Sequence, residues 1–83
     1  MKVFLDRDVA KYIQRLQKEE KERLLIRLRS LEIDPYLGKK IKGRKNTYSI
    51  RVGDFRIIYE IHTDLQEVWV LKVDKRGRVY KRL

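Results

Sequence analysis

The chain contains no cysteine and a single histidine, His62. Disulfide scaffolds, cysteine-bound zinc and cysteine nucleophiles are thereby excluded. One imidazole is too few for a histidine-rich metal site and has no partner for a serine–histidine charge pair. No metal and no cofactor is expected. Proline occurs once and glycine four times, and no internal repeat or low-complexity tract appears. There is no run of about 18 apolar residues, so a membrane span is not expected. The opening residues, Met1 to Leu5 and then Asp6-Arg7-Asp8, lack the apolar core of a secretory signal. The cytoplasm is the expected compartment.

What is present is charge. The 83 residues predict one domain spanning 1–83, with 42% apolar and 41% charged residues. A chain this short buries only about 60–65% of its unfolded surface, so its core must be economical. Twenty-two Lys and Arg against twelve Asp and Glu leave a formal net charge of +10. Residues 1–37 carry nine basic and seven acidic groups, whereas residues 38–83 carry thirteen and five. A basic half of this kind points to a polyanion, usually nucleic acid, because neutralising phosphates releases counterions. A charged, heat-resistant surface is the other reading of the same composition.

Periodicity divides the chain into elements. Lys2-Val3-Phe4-Leu5 reads as a first strand, and Asp6 and Asp8 supply N-cap and first-turn carboxylates. Val9, Tyr12, Ile13 and Leu16 follow at helical spacing, and Leu24, Leu25, Leu28 and Leu31 form a second apolar set. A single helix over 7–33 would be about 40 Å long, whereas a globule of this size has a radius of gyration of about 12 Å. The pattern therefore predicts two helices, 7–17 and 19–33, folded as a hairpin, with Pro35 forcing Asp34 out of helical geometry. Residues 35–46 read as a basic loop in which five of twelve residues are Lys or Arg: Lys39, Lys40, Lys42, Arg44 and Lys45. Either a solvated connector or a phosphate-tracking element fits that composition.

From Thr47 onward the period is two. Tyr48, Ile50 and Val52 alternate with Ser49 and Arg51; Phe55, Ile57, Tyr59 and Ile61 alternate with Arg56, Ile58, Glu60 and His62. Glu67 to Val73 is a continuous run that suits a central strand buried on both faces, which makes Trp69 a core residue. A turn over 74–77 and a short extended piece over 78–81 complete the order β-α-α-β-β-β-β. This is an α+β domain with its N-terminal helical hairpin on one face of a mainly antiparallel sheet. Gly53-Asp54 as a two-residue turn places Arg51 opposite Arg56, on the face away from the helices. Like charges so placed destabilise a sheet by up to about 1 kcal/mol. Either an anion lies between them or Glu60, Glu67 or Asp74 neutralises them.

Tyr48 to Tyr59, read as Y-S-I-R-V-G-D-F-R-I-I-Y, resembles the central motif of the RelE/ParE toxin superfamily, roughly Y-x-I-R-x-G-x-[YF]-R-[IVL]-[IVL]-Y. Leu37–Gly43 resembles that family's approach to the strand, and Lys75 to Tyr80 resembles its [HK]-R-x-x-V-Y ending. The resemblance spans nearly the whole chain. It implies a type II toxin and, in the RelE branch, an endoribonuclease (mRNA interferase) that cuts mRNA in the ribosomal A site. Attack by the 2′-hydroxyl on the adjacent phosphate needs no metal; it needs a group that activates the hydroxyl and cations that stabilise the phosphorane.

The same resemblance assigns roles to Arg51, Arg56, Arg76 and Tyr80. Arg56 matches the arginine on the scissile phosphate, and Arg51 a basic position on the neighbouring strand. Arg76 matches a C-terminal arginine credited with stabilising the transition state or protonating the leaving group, the first being favoured because an arginine is a poor proton donor. Tyr80 matches a tyrosine that stacks on or orients the substrate. Arg78 and Arg82, flanking Tyr80, join the basic loop as expected RNA contacts. Ser49 stands where the bacterial branch carries a lysine implicated in activating the 2′-hydroxyl, which leaves Lys42, Lys45 or Glu60 as candidates. The expected partners are a RelB-like antitoxin, mRNA and the ribosome. A ParE-like toxin acting on DNA gyrase and a non-catalytic RNA- or ribosome-binding module are the alternatives.

Overall fold

Strand β1 (Lys2–Leu5) leads into helices α1 (Arg7–Gln14) and α2 (Lys18–Ile33), followed by the short strand β2 (Lys39–Lys40) and by β3 (Thr47–Val52), β4 (Phe55–His62) and β5 (Glu67–Lys75). The structure is a computed structural model that describes residues 1–75. The strands form one sheet of order β1-β5-β4-β3-β2, in which β1 runs parallel to β5 and every other pair is antiparallel. The two helices pack on one face, as the α+β reading requires, and the sheet is mixed.

The helical hairpin forms with altered limits. The Arg15 N–H donates to Tyr12 O and the Leu16 N–H to Ile13 O. These three-residue bonds tighten the last turn and end α1 before the expected residue 17. Folding back is what lets the chain fit a radius of gyration of 12.0 Å. Asp6 occupies the N-cap of α1, but its side chain makes no cap hydrogen bond. On α2, Leu24, Leu28 and Leu31 face the core while Leu25 stays 42% exposed. Consecutive helical residues point about 100° apart, so Leu24 and Leu25 cannot share a face. Asp34 adopts an extended conformation before Pro35, as expected, and its carboxylate accepts from the Tyr36 N–H at 3.0 Å.

Helix residues Val9, Ile13, Leu24, Leu28 and Leu31 pack with Val52, Phe55, Ile57, Tyr59, Ile61, Val68, Val70 and Val73 in one buried cluster. Strand β5 reaches this core by way of a bulge. Ile58 pairs with Lys72 but Tyr59 with Val70, so Leu71 is an extra residue. The bulge resets the alternation, which is how Val68, Val70 and Val73 all face the helices. Glu67–Val73 is therefore not a strand buried on both faces: Trp69 is 38% exposed. The strand also continues through Lys75 where a turn was expected at Asp74. The expected extended piece over 78–81 lies outside the described residues.

The basic loop is more ordered than its composition implies. Pro35–Leu37 forms one 3-10 turn, and Lys39–Lys40 pairs with β3. A single side chain anchors this segment. The Tyr59 hydroxyl, fully buried, donates to Pro35 O at 2.8 Å and accepts from the Gly38 N–H at 3.0 Å. Its ring stacks on Tyr48, which meets Tyr36 edge-on. Tyr59→Phe removes both bonds and should destabilise the protein by about 1–3 kcal/mol in urea unfolding. Burial also holds the Tyr59 hydroxyl above its ordinary pKa of 10.0. The folded state then binds more protons than the unfolded state above about pH 10, so stability falls as pH rises through that range. Unfolding measured across that range should show this loss in the wild type and a shallower one in Tyr59→Phe.

Candidate functional site

The turn at Gly53-Asp54 fixes the register on which the site depends. Gly53 has φ of +58°, the left-handed geometry that the first position of a type II′ turn requires. Val52 then pairs with Phe55, Arg51 with Arg56, Ser49 with Ile58 and Tyr48 with Tyr59. Tyr48, Ile50, Val52, Phe55, Ile57 and Tyr59 face the helices, as expected. Ser49, Arg51 and Arg56 share the opposite, open face.

On that face lies a groove of about 540 Å³ lined by Leu37, Gly38, Lys39, Ser49, Ile50, Arg51 and Arg56. Arg51 is exposed and Arg56 half-buried. One guanidinium nitrogen of Arg56 donates to Ser49 Oγ at 3.0 Å, so Ser49 holds the arginine. Lys39 pairs with Ser49 across β2 and β3 and therefore shares its face. Gly38 is required where the wall meets β3: a Cβ there would lie 2.6 Å from both Ser49 O and Tyr59 Oη.

Other expected contacts lie apart from the groove. Lys40 pairs with Tyr48, on the other face. Lys42, Arg44 and Lys45 are exposed in the β2–β3 loop, around a separate concavity of about 430 Å³. Glu60 does not line the groove either; its carboxylate meets His62 Nε2 at 3.0 Å. Arg76, Arg78, Tyr80 and Arg82 lie outside the described residues.

Of the carboxylates considered as neutralisers, Glu60 is engaged by His62, Glu67 accepts from the Trp69 indole N–H at 2.8 Å, and Asp74 stands opposite Arg56 across β4 and β5. His62, given no role by the sequence, also stacks on Trp69 with ring centroids 4.0 Å apart. Lys72 was missed as a member of the open face, where it pairs with Ile58. The bulge hides it, because simple alternation assigns it from the wrong parity. Among the described residues, no group of three His, Cys, Asp or Glu side chains is placed to hold a metal ion.

A family model for the ParE toxin of type II toxin–antitoxin systems (parDE) matches residues 5–80. The chain belongs to this toxin family. Solved structures of the wider RelE/ParE superfamily share its fold. The isolated RelE toxin of E. coli is 23% identical, with a TM-score of 0.81 over 98% of this chain and 92% of that one. A chain of the archaeal RelE–RelB complex from Pyrococcus horikoshii OT3 is 28% identical, with a TM-score of 0.78 over 93% and 96%. A chain of the RelBE2 toxin–antitoxin complex from Mycobacterium tuberculosis is 24% identical, with a TM-score of 0.79 over 90% and 96%. No curated protein matches the chain by sequence.

Arg51 and Arg56 stand opposite each other on paired strands, where like charges repel. Arg51→Thr removes the like-charge pair and places a good strand former on β3. Its urea midpoint should rise, by up to about 1 kcal/mol of added stability; a lower midpoint would mean that Arg51 is already neutralised.

Proposed function

We propose that this toxin is a ribosome-dependent endoribonuclease that cleaves mRNA in the A site by 2′-hydroxyl attack, and that an antitoxin of the RelB kind neutralises it. The carrying observation is the pair of arginines held side by side over a groove on the open sheet face. Two guanidinium groups aimed at one cavity suit a phosphate that gains negative charge in the transition state. Arg56, fixed by Ser49, is assigned to the scissile phosphate, with Arg51 beside it. Arg76 and Tyr80 are assigned to transition-state stabilisation and base stacking. An arginine keeps its proton at any working pH, so Arg76 acts through its charge. Lys39 borders the groove; Lys40, Lys42, Arg44, Lys45, Arg78 and Arg82 are assigned to the flanking RNA backbone. In this reading the chemistry is carried by the cationic side chains, without a metal.

The RelE–RelB complexes among the structural relatives support an antitoxin partner. For a surface of charge +10, an acidic, partly apolar segment that covers the basic face is the complementary partner. The family match to ParE toxins favours a second reading, a toxin that acts on DNA gyrase and cuts no RNA.

The deciding experiment is a cell-free translation reaction with mRNA 5′ ends mapped by primer extension. New ends within A-site codons, present only with ribosomes, are expected from the wild type. Arg56→Ala and Arg76→Ala should each slow cleavage by about 10²–10³-fold while remaining folded. Intact mRNA with translation blocked would favour a ribosome-binding module. Intact mRNA, normal translation and inhibited gyrase supercoiling would establish the gyrase reading.

A further inference from the structure

We propose that Lys39 is the proton-transfer residue of the groove, the group that takes the proton from the attacking 2′-hydroxyl; the assignment rests on the ribonuclease reading above. The argument begins with register. Lys39 on β2 stands opposite Ser49 on β3, and such partners have Cβ atoms about 4.5–5.5 Å apart on one face of the sheet. Ser49 in turn bonds the Arg56 guanidinium, and Arg51 follows two residues along β3 on the same face. The Lys39 amine thus extends over the cavity that the two arginines border.

The chemistry of the lining narrows the choice. Leu37, Gly38 and Ile50 have no ionisable group, and Arg51 and Arg56 do not give up a proton to become bases. The Ser49 oxygen already accepts from the Arg56 cation at 3.0 Å, which lowers its capacity to accept a second proton. Among the described residues, no carboxylate lines the groove. Glu60 is four residues along β4 from Arg56, about 13 Å, and is bonded to His62. Asp74 stands opposite Arg56 across β4 and β5 but is not part of the groove lining; it borders a cavity with Asp8, Val9 and Tyr12. Among the described residues that line the groove, Lys39 alone carries a cationic group that can release its proton and then act as a base.

The step balances without a co-reactant beyond water. The neutral amine takes the 2′-hydroxyl proton as the oxygen's electron pair forms a bond to the adjacent phosphorus. The bond from phosphorus to the 5′ oxygen breaks with its electrons on that oxygen, which takes a proton from water; the ammonium of Lys39 then returns its proton to solvent. The products are a 2′,3′-cyclic phosphate and a 5′-hydroxyl.

The test separates proton transfer from charge. Lys39→Arg keeps the cation and removes the accessible base; Lys39→Gln removes both. Position 39 is exposed on a two-residue edge strand, and the variants are first checked for wild-type melting. With ribosomes and mRNA, both variants should cleave about 10²-fold more slowly than the wild type. Lys39→Arg should still bind a 2′-O-methyl oligonucleotide, which lacks the nucleophile, within about threefold of the wild-type affinity, since the phosphate contact survives. The wild-type rate should rise with pH over a range in which the Lys39→Arg rate is flat. Cleavage by Lys39→Arg at the wild-type rate would overturn the assignment and reduce Lys39 to a phosphate contact. A wild type that produces no ribosome-dependent ends would instead overturn the ribonuclease reading, and the assignment with it.

Discussion

The buried hydroxyl of Tyr59 is the constraint on which the site geometry depends. It sits on the central strand β4 and reaches past β3 to hold the chain just after the helical hairpin, through Pro35 O and the Gly38 N–H. Those two polar groups would otherwise be costly to bury. The contact has a structural consequence beyond its own energy. It presses Gly38 against the Ser49 carbonyl, closely enough that no side chain fits between them. Strand β2 then starts in the register that brings Lys39 opposite Ser49. One wall of the groove is thus set from the core, while the other is set by the Gly53-Asp54 turn. A site framed on two sides by rigid elements can hold like charges together that a loop would let drift apart.

That rigidity is needed because the site opposes the fold. Arg51 and Arg56 stand directly opposite each other, where paired strands ordinarily place complementary charges. The sheet tolerates them because β4 is otherwise among the best-buried parts of the molecule: Phe55, Ile57, Ile58, Tyr59 and Ile61 are each at most 7% exposed. Burial of several large apolar side chains, each contributing about 1.5–3 kcal/mol, outweighs a cross-strand repulsion of up to about 1 kcal/mol. The Ser49–Arg56 bond adds direction, because it restricts the orientations open to the guanidinium. Local instability at a charged groove, supported by a strong strand behind it, is an arrangement expected of a binding site rather than of a scaffold surface.

What the sequence made legible was the part controlled by strong local signals. The Arg51–Arg56 pairing followed from one glycine with a forced backbone geometry and from strict alternation on either side. The two helices followed from length against girth, though not their limits, because the tightened turn at Tyr12–Leu16 carries no breaker residue. Three features were hidden for physical reasons. Lys39–Lys40 has no apolar pattern, and its pairing is imposed by the distant Tyr59 anchor. The bulge at Leu71 let a half-exposed strand imitate a buried one, which hid both Lys72 and the exposure of Trp69. The link between Ser49 and Arg56 is a side-chain contact over seven residues, and a motif comparison registers only that a lysine is missing there. Arg76 and Tyr80 rest on the motif alone.

The open face is also electrically divided. Toward the Gly53-Asp54 turn stand Ser49, Arg51, Arg56 and, across β2, Lys39; toward the far end of β4 stand Glu60 and His62, with Glu67 and Trp69 on β5. Arg56 and Glu60 are four residues apart on one strand, about 13 Å, which exceeds the Debye length of about 8 Å at physiological salt. Salt therefore weakens the influence of each end on the other. A phosphate chain laid along this face is attracted at one end and repelled by carboxylates at the other, so the face favours one placement over sliding. Asp74, opposite Arg56, tempers the positive end without cancelling it, because two arginines and two lysines, Lys39 and Lys72, share that face. On this face the attraction is thus strongest around the groove, where it can be turned into position.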